Sequence, residues 1–315
     1  MASSIKPPRR GRLLAFGVLL PAAGVLYAVV ARPRINRWGA TDQEHQATWP
    51  GDRLLERPGY VWTNAITIQR PAEQVWPWLV QLGQGRGGLY SYDWLENLIG
   101  CDIHSADRIL PQFQQPLQVG DRMIRMARYA PYNPVALLEP GRALVLGDVH
   151  DSDAALAAGR PRSTWAFIVQ PVDQHTTRLL IRSRGSSLMG RVQGPIQFVM
   201  QRKAMLGIKQ RAEGTWSPSL TDVVEPLLWL LAAGVLAAAS ARVLVQREQW
   251  WRPFLVAAGA MVALPGLLFW QPPVALGAVL DGALIRALTG SRWPRRRLHP
   301  DRNAPGAHAR GDLLK

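Results

Sequence analysis

The chain has 315 residues, of which 48% are hydrophobic, and its 37 Lys and Arg against 22 Asp and Glu give a formal net charge of +15. Residues 40–220 carry nineteen of these basic side chains against sixteen acidic ones, so the excess lies near the two ends of the chain and does not indicate a nucleic-acid-binding domain. Cys101 is the single cysteine, which excludes an intrachain disulfide.

The first apolar run covers residues 13–31 and contains nineteen residues without a charge. As a helix it is long enough to cross the ~30 Å hydrocarbon layer of a membrane. A cleavable signal peptide is the alternative, because Lys6, Arg9 and Arg10 precede the run as in the basic start of such peptides. The run is longer than the apolar region of most signal peptides, and no A-x-A cleavage site follows it. We therefore expect an uncleaved anchor within an N-terminal basic segment, residues 1–36.

The sequence pattern predicts a folded domain at residues 37–216. A predicted strand at 63–69 is followed by a helix that begins at Pro71 and ends at Gly83, and by a short helix at 91–99 with Ser91 as its N-cap. Five further strands are predicted at 122–127, 135–139, 143–146, 163–170 and 176–183, before a final helix at 195–213. Short consecutive strands indicate an antiparallel sheet with helices on one face. The predicted fold is α+β, a helix-grip sheet wrapped on the long C-terminal helix with a cavity between them.

The segment 76–100 combines large rings with a glycine-rich loop, which is typical of a shaped ligand pocket. Its rings are Trp76, Trp78, Tyr90, Tyr92 and Trp94, and its loop is Gly83-Gln84-Gly85-Arg86-Gly87-Gly88. The loop follows a helix and lacks Gly-Lys-Ser/Thr, which argues against a nucleotide-binding motif. Four glycines exceed what a turn requires, so we interpret the loop as a pocket rim. The rings fit either a core or a pocket wall.

Residues 37–41 (RWGAT), the 71–100 block, residues 102–109 (DIHSADRI), residues 180–184 and the helix 198–213 form a distinctive set. Together they resemble the START/polyketide-cyclase-like helix-grip superfamily (SRPBCC), and within it a group of uncharacterised bacterial membrane-associated proteins. The resemblance covers about residues 37–214. It implies a cavity that binds an apolar or amphipathic molecule, in some members with cyclase, dehydratase or hydrolase activity.

Candidate site residues follow from this expected cavity. Those expected at the polar end of a ligand are Gln84, Arg86, Tyr90, Tyr92, Trp94, His104 and Arg108, and those at its apolar end are Trp165 and Phe198. His104 and Asp107 also have the spacing of an imidazole oriented by a carboxylate, as general acid–base catalysis requires. No nucleophile accompanies them, and a polar network or a surface pair is the alternative interpretation.

Two charged clusters have less specific interpretations. The first consists of Asp148, His150, Asp151 and Asp153. It lacks the central glycine and distal glutamate of a calcium loop, so we expect an exposed hairpin loop and no metal site. The second consists of Arg178, Arg182 and Arg184, on one face of the strand at 176–184. We expect that face to be solvated, with an anionic head group or a carboxylate as the alternative partner of one arginine.

Three apolar runs follow the domain, and we assign residues 217–290 to transmembrane helices. The runs cover 226–241, 253–270 and 273–288, and the third contains Asp281 and Arg286. Because a charge in mid-membrane costs ~3 kcal/mol on insertion scales, the third run spans, re-enters or lies on the surface. Residues 291–315 form a basic tail that we expect to be disordered.

The number of spans decides the orientation. With four, counting the N-terminal anchor, the basic flanks share one side and the positive-inside rule places the central domain outside. With three, the basic tail and the central domain share a side, and the domain is cytoplasmic. Both alternatives describe an integral, multi-pass protein of a bacterial cell membrane.

The sequence therefore predicts a membrane-anchored domain that binds a hydrophobic or lipid-like small molecule, without nucleic acid, metal or cofactor. One alternative is an enzyme of the cyclase or dehydratase kind that uses His104 and Asp107. Another is a structural or regulatory membrane protein whose cavity is filled by side chains. The last alternative predicts no cavity above roughly 300 Å³.

Overall fold

A computed structural model of the chain describes residues 24–125, 132–148, 161–186, 188–246 and 249–290, together with Gly17 and Pro21. At the start of the first range, a π-helical turn at Tyr27–Ala31 leads directly into helix α1, Arg32–Asn36. Residues 13–16, 18–20 and 22–23 of the predicted anchor lie outside the described residues. Helix α2, Asp42–Gln46, follows with a capping box between Thr41 and Glu44, and a 3₁₀ turn at Asp52–Leu54 precedes the sheet.

The described strands form a six-stranded antiparallel sheet. They are β1, Tyr60–Ile68; β2, Arg122–Arg125; β3, Tyr132–Glu139; β4, Ala143–Asp148; β5, Ser163–Pro171; and β6, Thr177–Gly185. Their order is β1-β6-β5-β4-β3-β2, so the long connection from β1 to β2 crosses the sheet while the later strands form a meander. The α+β class and the position of every predicted strand are confirmed, although residues 126–127 of the second lie outside the described part.

Three helices belong to the same domain. They are α3, Ala72–Val80; α4, Asp93–Leu98; and α5, Leu188–Glu213, with a 3₁₀ turn at Pro111–Phe113 between the last two. The predicted N-cap of α4 is wrong, because Tyr92 occupies that position without a side-chain bond. Ser91 Oγ instead donates to the carbonyl oxygen of Met200 in α5, 3.1 Å away. Helix α5 also begins before Pro195, which lies inside it.

The space between the sheet and helices α3 and α5 is filled by apolar side chains. Buried members of this core include Val75 and Leu79 of α3, Phe167 and Ile181 of the sheet, and Met205 and Ile208 of α5. Burial of this much apolar surface is the main stabilising contribution to such a domain. Among the described residues, side chains therefore occupy the place where the helix-grip cavity was expected.

The opposite face of the sheet is also covered, here by residues 40–54. Arg178 Nε lies 2.6 Å from a carboxylate oxygen of Glu44, and Arg182 Nε lies 2.9 Å from Asp52. Arg184 contacts the same Asp52 oxygen at 2.6 Å. The prediction that this arginine face is solvated is wrong, because acidic side chains from the N-terminal connector pair with all three guanidinium groups. Removing one partner of such a buried pair leaves an uncompensated charge.

Three consecutive helices follow the domain: α6, Thr221–Val245; α7, Trp251–Phe269; and α8, Val274–Gly290. They pack against one another, and in the described part of the chain α6 and α7 are long and apolar enough to cross a membrane. Helix α8 has 17 residues. Asp281 in its middle is buried, and neither carboxylate oxygen has a hydrogen-bond partner among the described residues.

An apolar cluster joins these helices to the domain, and we call it the junction cluster. Its buried members are Ala31, Ile35, Tyr92, Phe198, Val199, Trp229, Ala232, Leu267 and Phe269. The cluster thus contains residues of the N-terminal helical segment, the 90–94 segment, α5, α6 and α7. Because residues of all these elements pack together in one buried apolar cluster, the domain lies directly against the first half of α6 and the end of α7.

Candidate ligand-binding site

The glycine loop is a closed turn. The backbone groups of Gly83 and Gly88 bond to each other in both directions at 3.0 Å, as in a short antiparallel bridge. Gly88 has φ of 77°, and a Cβ there would lie 2.5 Å from the Cα of Ser105. Only glycine fits such a backbone conformation and such a close approach. The loop therefore packs against the 104–105 segment and does not form the pocket rim that the sequence predicted.

Gln84 and Arg86 stabilise this loop. The side-chain amide of Gln84 donates to the carbonyl oxygen of Cys101. The guanidinium of Arg86 donates to the carbonyl oxygen of Val80 at 2.9 Å, which satisfies an acceptor at the end of α3, and it stacks over the Phe113 ring. Burial lowers the pKa of Arg86. Both side chains thus have structural partners and are not part of the lining of the pocket described next.

A pocket of about 250 Å³ lies on the side of α5 that faces away from the sheet. It is bounded by the 90–94 segment, by α5 and by the connection from α5 to α6. Its lining residues are Tyr90, Ser91, Tyr92, Asp93, Trp94, Ser105, Lys203, Gly207, Gln210, Arg211, Trp216 and Asp222. Three of the predicted site residues, Tyr90, Tyr92 and Trp94, are therefore brought together.

Close contact between Tyr90 and Gly207 forms the inner wall of the pocket. Tyr90 has φ of 58°, and a Cβ at position 207 would lie 2.2 Å from its carbonyl oxygen. The Tyr90 hydroxyl accepts from Gln81 Nε2 at 2.9 Å and donates to the carbonyl oxygen of Trp78 at 3.1 Å. Burial raises the pKa of Tyr90, so the phenol stays neutral. Its ring belongs both to the core and to the pocket wall.

Arg211 lies between two aromatic rings, one of which is the Tyr90 ring of the inner wall. Its guanidinium carbon is 4.9 Å from the centroid of the Tyr90 ring and 4.4 Å from that of Trp216. Its Nε donates to the carbonyl oxygen of Ala106 at 2.7 Å. Burial lowers the pKa of Arg211, while nearby tyrosine and aspartate side chains act in the opposite direction. A buried cation stacked on rings is fixed in position and available to a polar ligand group.

A further wall of the pocket, formed by Tyr92, Trp94 and Lys203, connects the pocket to helix α6. The Tyr92 hydroxyl donates to a carboxylate oxygen of Glu225 at 2.6 Å, and Trp94 Nε1 donates to the carbonyl oxygen of Asp222 at 2.9 Å. Lys203 of α5 pairs with the Asp222 carboxylate and lies over the Tyr92 ring. Burial, and then the Glu225 carboxylate, raises the pKa of Tyr92. These bonds fix the pocket against the first turns of α6.

The acidic side chains of α4 differ in their partners. Asp93 accepts from the backbone N–H of Ser105 at 2.6 Å and from its hydroxyl at 2.7 Å. Glu96, one turn later, is buried, and its Oε2 has no hydrogen-bond partner among the described residues. Burial, and then the charge of Asp93, raises the pKa of Glu96 to about 7. Glu96 therefore titrates near neutral pH beside the pocket.

The predicted acid–base pair does not form. His104 Nε2 contacts Asp102 at 3.2 Å instead, and the His104 side chain is 82% exposed. Asp107 and Arg108 are also exposed. A loop without a regular helix allows the imidazole to reach the nearer carboxylate, whereas the predicted spacing assumed a helical turn. None of these three predicted residues lines the pocket.

Trp165 and Phe198 lie on different sides of α5. Trp165 Nε1 donates to Gln201 Oε1 at 3.0 Å, and the Trp165 ring packs on Phe167 on the sheet side. Phe198 belongs to the junction cluster, near Trp38 and Phe269. The expectation that they form one apolar wall is therefore wrong, because the buried sides of α5 face two separate cores.

Nine of the twelve lining residues are not among the candidate site residues predicted from the sequence. They are Ser91, Asp93, Ser105, Lys203, Gly207, Gln210, Arg211, Trp216 and Asp222. Lys203, Gly207 and Arg211 are spaced by four, and this spacing places a small residue between two cations on one helical face. That pattern could have indicated the pocket-facing side of the helix. The partners of these three residues on the 90–94 segment, however, are more than a hundred residues away in the chain.

No potential metal site is found in the part of the chain that the structure describes, where no three His, Cys, Asp or Glu side chains come together. Of the predicted acidic hairpin loop, Asp148 ends β4. His150, Asp151 and Asp153 lie outside the described residues.

Comparison with models of known protein families finds no match, and no curated protein matches the chain. Similar solved structures include a protein from Mesorhizobium loti, with 18% identity and a TM-score of 0.31, over 50% of this chain and 100% of that one. A conserved protein of unknown function from Enterococcus faecalis has 10% identity and a TM-score of 0.31, over 53% and 84%. A polyketide-cyclase-like protein from Corynebacterium glutamicum has 18% identity and a TM-score of 0.25, over 49% and 88%. TM-scores this low carry no argument about function.

Proposed function

We propose that the chain is a membrane-anchored domain that binds the polar end of a small amphipathic molecule in the pocket beside α5. The observation that carries this proposal is the composition of the pocket. Aromatic side chains form its walls, and the charged groups of Lys203, Arg211 and Asp222 lie among them. Rings with a few fixed polar groups are typical of sites that orient a ligand.

The size of the pocket favours part of a molecule over a whole lipid. Its volume of about 250 Å³ lies just below the ~300–1,000 Å³ of pockets that enclose drug-sized ligands. A polar head group fits this volume, whereas a complete lipid or polyketide does not. The apolar remainder of the ligand then lies outside the pocket, where α6 offers exposed leucines.

The charges favour a neutral or dipolar head group. The lining contains two cations, Lys203 and Arg211, and two carboxylates, Asp93 and Asp222. Asp222 already pairs with Lys203, and Asp93 accepts two bonds from Ser105. A ligand with a large net charge of either sign would lie next to a side chain of the same sign. Removing such a ligand from water without enough polar partners in the pocket is costly.

The anchoring part of the proposal is supported by α6 and α7, whose length and composition suit membrane spans. Pocket residue Asp222 lies in the first turn of α6. If α6 crosses the bilayer, the pocket lies near the head-group region, and ligands dissolved in the membrane reach it at a high effective concentration. An integral, multi-pass location in a bacterial cell membrane remains part of this proposal.

A structural or regulatory role is the second candidate, and the filled interior between the sheet and α5 favours it. The enzymatic alternative has less support, because His104 and Asp107 are exposed and lie outside the pocket. The experiment below separates binding from a purely structural role.

Native mass spectrometry of the detergent-purified full chain tests the proposal. We expect a co-purifying small amphipathic molecule that is lost in Gln210→Trp, because a large ring at this exposed pocket position occupies the space. Ile196→Trp is the matched control, since Ile196 is an exposed position of the same helix outside the pocket lining. A bound mass that survives Gln210→Trp, or no bound mass in the parent protein, would refute binding in this pocket.

A further inference from the structure

Exposed apolar side chains surround the junction cluster on several elements. On the N-terminal segment they are Val25, Leu26, Val29 and Val30; on α4 and the residue after it, Leu98 and Ile99; and on α6, Val223, Leu227, Leu230 and Leu231. Each group lies within about two turns of a cluster member. Exposed apolar side chains on several elements that meet in one buried cluster are typical of an interaction site.

The α4 residues do not belong to any predicted span. Leu95 packs against the junction cluster, and Leu98 and Ile99 follow it at i+3 and i+4, on the same face of the helix. Leu98 is 70% exposed and Ile99 is 67% exposed. The apolar stripe of α4 therefore begins with the half-buried Leu95 at the junction cluster and continues onto open surface.

The level of this stripe is indicated by the ends of the neighbouring helices. The guanidinium of Arg34 lies 5.2 Å from the centroid of the Trp270 ring, directly after Phe269 of the junction cluster. Tryptophan and arginine at helix ends are typical of the membrane–water interface. Arg34 and Trp270 thus mark the level at which a bilayer around α7 would begin, and α4 is connected to this level through Leu95, which packs against the same cluster as Phe269.

We propose that Leu98 and Ile99 insert into the interfacial layer of the bilayer, so that α4 is an additional membrane contact of the domain. The inference rests on the proposed membrane anchoring by α6 and α7. The occupant is lipid because Trp94, in the first turn of α4, bonds to Asp222 in the first turn of the proposed span α6, and because a single turn of exposed aliphatic side chains suits a shallow, non-spanning insertion.

A functional consequence follows for the pocket. Trp94, one turn before Leu98, lines the pocket and bonds to Asp222 of α6. Insertion of α4 would place this wall of the pocket at the lipid boundary. The acyl part of a bound amphiphile would then stay in lipid while its head group enters between α4, α5 and α6.

Site-directed spin labelling of the full chain tests the inference. In a Cys101→Ala background, nitroxides are attached separately to Leu98→Cys, Val262→Cys and Val172→Cys, and the protein is reconstituted in phosphatidylcholine/phosphatidylglycerol nanodiscs. Val262 is exposed in the middle of α7, and Val172 is exposed in the turn between β5 and β6. Relaxation by oxygen, which partitions into lipid, is compared with relaxation by a water-soluble nickel chelate.

We expect the oxygen-to-nickel ratio at position 98 to exceed clearly that at 172 and to lie below that at 262. Ile99→Cys serves as a second variant if Leu98→Cys folds poorly. A ratio at both 98 and 99 equal to that at 172, with a high ratio at 262, would overturn the inference while leaving membrane anchoring intact. A low ratio at 262 would overturn the anchoring itself.

Discussion

The two sides of α5 have opposite character, although they belong to one helix. On the side facing the sheet, Met205 and Ile208 are fully buried in a continuous apolar core. On the other side, Lys203, Gly207 and Arg211 line a polar and aromatic pocket. The apolar core on the first side stabilises the domain, whereas the candidate ligand site lies on the second side, where polar groups meet.

This comparison explains why a filled core and a candidate ligand site exist together. A cavity between helix and sheet would have removed the contacts that stabilise the domain. The second side of α5 gains its neighbours from the 90–94 segment and from the chain leading into α6. Charged side chains there find partners across these elements and remain partly accessible.

The largest expected effect is on the sheet side. Met205→Ala should reduce the free energy of unfolding by about 2–5 kcal/mol, because it creates a cavity in a fully packed core. Denaturant unfolding of the full chain in detergent measures the loss. Ile196→Ala, at an exposed position of the same helix, should have little effect. Equal effects of the two changes would mean that the sheet side of α5 is not the stabilising side.

Glu96, beside the pocket, should make stability depend on pH. Its pKa is raised from 4.5 to about 7 in the folded protein, so the folded state binds more protons than the unfolded state between these values. The contribution of Glu96 to the free energy of unfolding is therefore full at acidic pH. As pH rises through 7, on the order of 3 kcal/mol of this free energy is lost.

Unfolding measured at about pH 5 and about pH 8 checks this dependence. Glu96→Gln keeps a neutral side chain of similar shape, so the variant should lose much less stability over the same range and exceed the parent protein at the higher pH. The comparison with Glu96→Gln is needed because burial lowers the pKa of His45, which makes stability rise with pH over the same range. An equal pH dependence of the parent protein and Glu96→Gln would contradict the burial of a protonated Glu96.

Gly207→Ala should disturb the pocket side of α5. The new Cβ would lie 2.2 Å from the Tyr90 carbonyl oxygen, and backbone atoms must move to accommodate it. We expect a net loss of about 1–2 kcal/mol in the free energy of unfolding, after the gain of ~1 kcal/mol in helix propensity. Gly234→Ala is the control, since a Cβ at that helical glycine meets nothing within 4 Å. If both variants are equally stable, α5 and the 90–94 segment are not in close contact.

The smallest effect is expected for a residue on neither side of α5. His104→Ala removes an exposed contact with Asp102 and should change the free energy of unfolding by less than about 0.5 kcal/mol. The same variant should keep any ligand mass seen by native mass spectrometry. Loss of that mass would return His104 to the binding site and contradict the assignment of the pocket to α5.

Local patterns predicted the secondary structure well. Alternating β-branched residues predicted β1 and β6, and apolar spacing predicted α3 and α5. Such patterns depend on neighbours within a few residues, so one sequence suffices to read them. The order of the strands in the sheet and the crossing from β1 to β2 depend on pairing between distant segments.

The site was less predictable because its partners are far apart in the chain. Tyr92 and Glu225 are separated by 133 residues, and Arg178 and Glu44 by 134. The sequence showed that the rings of the 90–94 segment were available for a pocket. It also suggested a rim in the glycine loop, which instead forms a closed turn because Gly88 packs against Ser105.

By itself the sequence determined the α+β class, the positions of the strands, and the long apolar helices after the domain. These properties follow from side-chain periodicity and from the length of uncharged runs, which are local. Only the tertiary structure decided that the arginine face of the sheet is neutralised by Glu44 and Asp52, and that the pocket lies on the outer side of α5. Both depend on which distant groups come within hydrogen-bond or van der Waals distance, and that is set by packing of the whole chain.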